Sequence, residues 1–476
     1  MLKCYMKLSH MMEHKIFKLL SELPKNEFSR FGDFIASPYF NRLQKVTLLY
    51  DETKKFYPSF SSRLLSSEML FGRIFPGVKY NDMKMRVLYS QMFSLAEKFL
   101  AAEKYFADET TQQLDITAEH RRRGNHRLLE SSLKRVESAL PAQTKKDAEY
   151  YENLARFLFE KNHLGSQFVG SRDFVLEADT ITTAHIIKTL WIYSTIYNIK
   201  GSLNIEIDES VINAIERLAQ LPTFSSIPAV KLNYLLYHCV RYMDEKSFFG
   251  YIEAMNKYPD ICGAADLYQA HVILLNFCVL KIRAGKKEFV KIKFELYRNI
   301  ISKELWSYER YIPYAIFNNI VTSAIENKQH KFGFEFLEQY TSKLEPEFTN
   351  SISNFCYAKM YYSLNEYDKA LGHLSKTGST DDIFYKFAVK DLNIKIFYET
   401  GRYEQVYSLI DTYKHMISRS KLLLPEVKAS YRMFLKFLTD LLRPGGDSGV
   451  LQNSLKAAPG FVNKEWLMNM AEKLVS

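Results

Sequence analysis

The densest set of residues that could do chemistry is Arg121, Arg122 and Arg123, followed by His126 and Arg127. Guanidiniums packed this closely could contact phosphates on nucleic acid or another anionic surface. The same run is followed by Gly124-Asn125, which reads as a helix stop, and cations at a helix C-terminus complement its dipole. A solvated helix end is therefore the favoured reading of the cluster, with a phosphate or anion patch at Arg121, Arg122, Arg123 and Arg127 as the sharper one. Asp381-Asp382 could be paired carboxylates. They follow Gly378-Ser379-Thr380 and precede an apolar helix, so an N-cap and a first-turn acid account for them better. His10 and His14 lie four apart, but no HExxH surrounds them and no third ligand follows, so they should face solvent. Cys4, Cys239, Cys262, Cys278 and Cys356 are odd in number and irregular in spacing, without a CxxC. They read as reduced, mostly core cysteines, and a zinc site is not expected. No GxGxxG or GxxxxGK[ST] occurs, and Gly445-Gly446-Asp447-Ser448-Gly449 is not a GxSxG elbow. Trp191 and Trp306 should pack in the core, and the tyrosines recur at helix-face spacing, which favours packing over base stacking. No catalytic constellation, metal set or cofactor loop emerges, and a non-enzyme is expected.

The elements that must carry these residues are helices. The 476 residues include 34 Phe, 32 Tyr and 3 Trp, against only 18 Gly and 13 Pro. Few breakers and many large apolar side chains favour long helices over a turn-rich β architecture. The ordinary balance of apolar and charged residues excludes a chain that is disordered throughout. The longest uncharged apolar run, from Ala270, ends at Lys281, which suits a buried helix better than a membrane span. No secretory h-region is read at the N-terminus, and the reduced cysteines lead to the expectation of a cytoplasmic protein. The net charge of +10 is concentrated early: residues 1–100 hold 16 Lys+Arg and 9 Asp+Glu, whereas residues 101–150 hold 9 of each.

Punctuation defines the first hundred residues. A helix over His14–Leu23 is broken by Pro24, and one over Glu27–Ala36 is stopped by Pro38. Asn41 is expected to cap a helix through Phe56. Ser67–Phe75 is a short helix, and Asn81 or Asp82 caps a long one through about Tyr105, with Val87, Leu88, Phe93, Leu95, Phe99 and Leu100 on it. The stretch Phe31-Gly32-Asp33-Phe34-Ile35-Ala36-Ser37-Pro38-Tyr39-Phe40-Asn41, with Phe71 through Gly77 and Tyr80, resembles the start of uncharacterised bacterial proteins of similar length. That resemblance brings no activity with it. Beyond it, Thr180–Ile199 is apolar almost all round and should be covered by neighbours. Loops are expected at Gly165–Asp173 and Lys200–Asp208, and the alternation Leu203–Ile207 is too short for a sheet.

A repeat runs from about 228 to 440. Phe355, Ala358, Tyr361 and Tyr362 precede the turn Asn365-Glu366 and a second helix with Ala370 and Leu374. The pattern returns 36 residues later as Ile394, Phe397 and Tyr398, Gly401-Arg402, then Val406 and Ile410. It stands 37 residues earlier as Val321, Ala324 and Ile325, Lys328-Gln329, then Gly333 and Leu337. A weaker copy turns at Gly285-Lys286, and another pair is expected over Pro228–Met255. Small anchors let the second helix approach the first, and stacked pairs bury what one pair cannot. Ala358, Tyr361, Ala370 and Leu374 fall at spacings that resemble the tetratricopeptide (TPR) repeat, although the period drifts from 34 and the proline after the second helix is missing. The resemblance implies an all-α fold, a right-handed α-solenoid of antiparallel helix pairs, and binding of a protein or peptide on a concave face.

The expected organisation is a basic helical segment at 1–105, helical hairpins at 106–227, TPR-like repeats at 228–442, and a loop with a capping helix at 443–476. The expected function is a non-enzymatic scaffold for a protein or peptide partner. The alternative is a nucleic-acid-associated regulator acting through the basic N-terminal segment.

Overall fold

The computed structural model describes residues 14–60, 65–162, 171–200, 205–378, 382–420, 423–443 and 448–474. Cys4, His10, Asp381, Leu203-Asn204, most of the Gly165–Asp173 loop and 444–447 lie outside the described residues. Every regular element among the described residues is helical, with no strand. The chain divides into two compact units, Met1–His185 and Ile186–Ser476. The stretch 106–227 is thus shared between them.

In the first unit, α1 (Lys15–Glu22), α2 (Lys25–Ala36), α3 (Gln44–Thr53) and α4 (Ser67–Ile74) all pack on the long α5 (Asp82–Ala107). Pro24 separates the first two, and α2 stops at Ser37 before Pro38, as its ring requires. Phe17, Phe31, Phe71 and Phe99 are fully buried between these helices. Gly32 lets α2 lie against α3: a Cβ there would fall 2.7 Å from the Tyr50 hydroxyl, which donates to the Phe28 carbonyl at 2.9 Å. Asn81 caps α5 by accepting the Lys84 amide at 3.0 Å. Asn41 does not cap α3. Its side chain accepts the Leu43 amide at 2.8 Å and donates to the Ile35 carbonyl at 3.0 Å, so it braces the loop and the helix starts at Gln44. Val87 and Leu100 share helical spacing with buried residues yet are exposed, because α5 is covered on one side only.

A smaller core (Leu114, Leu129, Leu133, Val136, Leu140, Phe157 and Leu158) joins α6 (Glu109–Arg122), α7 (His126–Ala139) and α8 (Ala148–Asn162). Then α9 (Ser171–Lys200) starts earlier than expected, so Ser171–Asp173 is helix rather than loop. It buries Ile186, Ile187 and Leu190 but leaves Ile181 and Ile192 exposed, so cover is not all round.

The second unit continues with α10 (Glu209–Gln220) and α11 (Pro222–Ser225), then five helix pairs. These are α12 (Pro228–Tyr242) with α13 (Glu245–Lys257), α14 (Ala264–Arg283) with α15 (Glu288–Ser302), α16 (Tyr314–Glu326) with α17 (His330–Tyr340), α18 (Pro346–Ser363) with α19 (Tyr367–Leu374), and α20 (Ile383–Glu399) with α21 (Tyr403–Arg419). All five turn the same way. Met243, Gly285, Lys328, Asn365 and Gly401 each hold a positive φ. The next residue's amide reaches five residues back, as in Gln329 to Ala324 at 2.8 Å, Glu366 to Tyr361 at 2.9 Å and Arg402 to Phe397 at 2.8 Å. This left-handed C-terminal closure satisfies carbonyls the helix would otherwise leave open. By length and composition α14 could cross a membrane, but its Tyr268, Ile273, Leu274, Phe277 and Cys278 are buried in the core of this unit.

The unit ends with α22 (Pro425–Leu441), α23 (Ser448–Ala457) and α24 (Lys464–Lys473). Trp466, Leu467, Met470 and Ala471 of α24 are buried, as expected of a helix that closes a core. The Trp466 indole donates to Glu399 at 2.7 Å, and Tyr367 donates to the same carboxylate at 2.8 Å.

Candidate functional site

The arginine cluster lies at the end of α6. Gly124 takes φ +66°, its amide reaches Arg121 at 2.9 Å, and the Asn125 amide reaches His120 at 3.0 Å. This is the helix stop expected from Gly124-Asn125. Arg121 pairs with the buried Glu160 at 2.7 Å, while Arg122 and Arg123 both pair with Glu119, at 2.7 and 2.6 Å. Bonds from Arg122, then Arg123, hold the Glu119 carboxyl down to about 2. Arg127 sits exposed in the first turn of α7, across the stop from the other three. Three of the four arginines therefore carry their own counter-ions, and Arg127 makes no ion pair among the described residues.

The repeat-packing positions divide by chemistry. Gly333, Ala358, Ala370, Leu374, Val406 and Ile410 are buried. At Gly333 a Cβ would fall 2.6 Å from Met360, on the first helix of the next pair, and only 3.6 Å from Ala324 on its own first helix. The small residue thus serves the contact between pairs more than the one within a pair. Tyr361 is half-buried, with its ring 5.3 Å from Phe334 of the preceding pair and 5.4 Å from His373 of its own. Phe397 is likewise half-buried, against the C-terminal core. Asp382 is an N-cap: its carboxylate accepts the Phe384 amide at 2.8 Å and the Tyr314 hydroxyl at 2.6 Å.

Sequence reasoning missed a line of charge on the first helices. Lys359 and Lys395 are 36 residues apart, one repeat, and Thr322 lies 37 before Lys359. Lys359 Nζ donates to Asn318 Oδ1 at 2.9 Å and to Thr322 Oγ1, both on the preceding first helix. Burial pulls the Lys359 and Lys395 ammoniums below the ordinary lysine range. Among the described residues, Lys395 makes no hydrogen bond and no ion pair, although Asp391 and Glu399 flank it one turn away on the same helix. Burial pushes the Asp391 carboxyl up, opposed by the Tyr413 hydroxyl that donates to it. The repeat spacing was the signal that could have found this line, had polar positions been aligned with the apolar ones.

A cleft of about 700 Å³ between α12 and α13 brings together three residues that the sequence reading did not single out. His238 Nδ1 lies 3.0 Å from Ser247 Oγ and 3.5 Å from Asp244 Oδ2. Both contacts fall on one ring nitrogen, whereas a proton relay from hydroxyl to carboxylate runs through two. Asp244 also accepts the Ser247 amide at 2.8 Å, which makes it the cap of α13. Cys239, Cys278 and Cys356 are buried free thiols, and burial pushes the last two up to about 12 and about 11. Thiols held protonated in this way are poor nucleophiles. Among the described residues, no three His, Cys, Asp or Glu side chains cluster as metal ligands. No family model, no curated protein and no solved structure matches this chain.

Proposed function

We propose that the chain is a non-enzymatic scaffold whose second unit is a TPR-like α-solenoid of antiparallel helix pairs, binding a protein or peptide along its first helices. Two observations support the repeat reading. The five pairs share one turn geometry. Their substantial helix contacts join elements one or two places apart in the chain, with first helices meeting first helices at α12–α14, α16–α18 and α18–α20. A stack in which each unit touches only its neighbours has this contact pattern.

The observation that carries the binding reading is Lys395: a half-buried ammonium, without a hydrogen bond among the described residues, one repeat after a lysine that is fully engaged. Asp391 and Glu399 act on this ammonium through space but accept no hydrogen bond from it, so the position gains when a ligand carbonyl or carboxylate arrives. The test is selection of peptides from a displayed library against the full chain, followed by affinity measurement. Lys395→Met should weaken selected peptides about tenfold, the value of one charged hydrogen bond. Circular dichroism should show the fold unchanged. If every selected peptide binds Lys395→Met and Lys359→Met as tightly as the parent, the reading fails. The alternative of nucleic-acid association draws less support at the arginine run, where Arg121, Arg122 and Arg123 already face carboxylates.

A further inference from the structure

A groove of about 720 Å³ opens on the first unit, where the start of α3, the end of α4 and the first half of α5 meet. Its apolar lining is Leu43, Phe75, Met83, Val87 and Leu88. Three of these are left open to solvent: Met83 is 77% exposed, Val87 49% and Leu43 46%. Met83 and Val87 stand one turn apart on α5, so they form a short apolar stripe. Large side chains scattered singly at a surface need no explanation, but a contiguous apolar lining in a concavity marks a binding surface.

The rest of the lining is cationic or neutral: Arg42, Lys45, Lys84, Gln44, Asn81 and Gln91. Among the described residues, no carboxylate lines the groove. Asp82, adjacent in the chain, is taken by Arg86 at 2.8 Å. Lys45 is held in place, its ammonium donating to the Ile74 carbonyl at 2.7 Å and lying 5.1 Å over the Phe75 ring. Arg42 and Lys84 have no ion pair among the described residues, unlike the arginines at the end of α6. The surrounding residues 1–100 carry the chain's largest basic excess.

We propose that this groove docks an acidic amphipathic segment of a partner protein, its apolar side chains on Met83, Val87 and Leu43 and its carboxylates against Arg42 and Lys84. The volume suits about three or four large side chains, the number of anchors a helix lays into a groove. The charge pattern selects among occupants. A second copy of this chain would bring the same cations to the same rim. A nucleic-acid strand has phosphates for Arg42 and Lys84 but no aliphatic face for Met83 and Val87, and the Phe75 ring in the lining is already covered by Lys45. An acidic amphipathic peptide satisfies both the floor and the rim.

The test uses the full chain and fluorescein-labelled peptides of about 15 residues, read by anisotropy. One peptide carries Leu at i, i+3, i+4 and i+7 with Glu elsewhere, a second replaces Glu by Lys, and a third scrambles the first. The acidic amphipathic peptide should bind, more weakly at higher salt, and the other two should not. Arg42→Glu with Lys84→Glu, and separately Met83→Ser with Val87→Ser, should each weaken it at least about tenfold. These are surface positions, so the unfolding midpoint should stay put, and Lys395→Met should leave this binding intact. Equal binding of the scrambled peptide, or groove variants that bind as the parent does, overturns the proposal. So does mixed-sequence single-stranded DNA that binds the groove and displaces the peptide, which would make the site a nucleic-acid surface. A concentration-dependent dimer lost in Met83→Ser with Val87→Ser would assign the groove to a second copy.

Discussion

Arg121, Arg122 and Arg123 stand side by side in the chain and end at the surface, each with a carboxylate within ion-pair distance. Lys359 and Lys395 stand 36 residues apart and end half-buried on neighbouring helices, where burial works against their charge. Charge density along the chain is therefore a poor guide to charge available for binding. A run of cations at a helix end recruits nearby acids at little cost, because water screens the whole group. A lone lysine among helices has few ways to be satisfied, and what it lacks in the free chain a partner can supply.

This contrast can be broken most forcefully at the enclosed side. Tyr413 is buried, and its hydroxyl donates to Asp391 and lies 3.1 Å from the Phe387 carbonyl. Tyr413→Ala should cost about 3–5 kcal/mol in urea unfolding, the value for emptying an aromatic site. Tyr413→Phe keeps the ring and should cost about 1–3 kcal/mol, which isolates the price of leaving the Asp391 carboxyl without its donor. If Tyr413→Phe is neutral, the polar line is decoration on an apolar core.

A second measurement sharpens the role of enclosure through pH. Burial pulls His271 down to about 4, partly offset by its contact with the Leu267 carbonyl at 2.7 Å, and its Nε2 has no hydrogen-bond partner among the described residues. The unfolded histidine titrates near 6.5, so between those values the unfolded chain binds more protons than the folded one. Stability should hold above pH ~6.5 and fall as pH drops toward 4, by up to about 3 kcal/mol. His271→Gln should remove that part of the slope.

Lys359 behaves the same way in the alkaline range. Its folded value lies below the unfolded one, so the burial penalty is present at neutral pH and relieved toward pH ~10.4. Lys359→Met should be within about 1 kcal/mol of the parent at neutral pH, since methionine fills the space without the charge. Its standing relative to the parent should decline as pH rises. The smallest effect belongs to the surface: Arg122→Ala with Arg123→Ala should leave the unfolding midpoint unmoved. Carboxyl NMR should nonetheless show Glu119 returning from about 2 to the ordinary glutamate range.

Much of the local structure was legible because its causes are local. Pro24, Pro38 and Gly124 end helices through φ and missing amides, and Asn81 and Asp382 cap the helices that follow them. The small anchors Gly333, Ala370 and Val406 were legible through their period, and all are buried. Asn41 went the other way: its side chain had a rival acceptor in the Ile35 carbonyl, which residue type alone does not disclose. Val87 and Leu100 have the spacing of core residues on a helix whose neighbours cover only one side. Asp244 and Ser247 were overlooked because a capping pair beside a histidine resembles chemistry only once folded.

The amino-acid sequence by itself determined the helical class, the positions of most stops and caps, and the period of the pairs, since these depend on backbone sterics and on the spacing of apolar side chains. The tertiary structure decided which cations keep their charge to themselves and which lie open. It also decided that Gly333 makes room for the next pair rather than its own, and that Met83 and Val87 border a groove instead of a core. Burial and electrostatic partnership depend on residues distant in the chain, and neither spacing nor composition encodes which distant residues will meet.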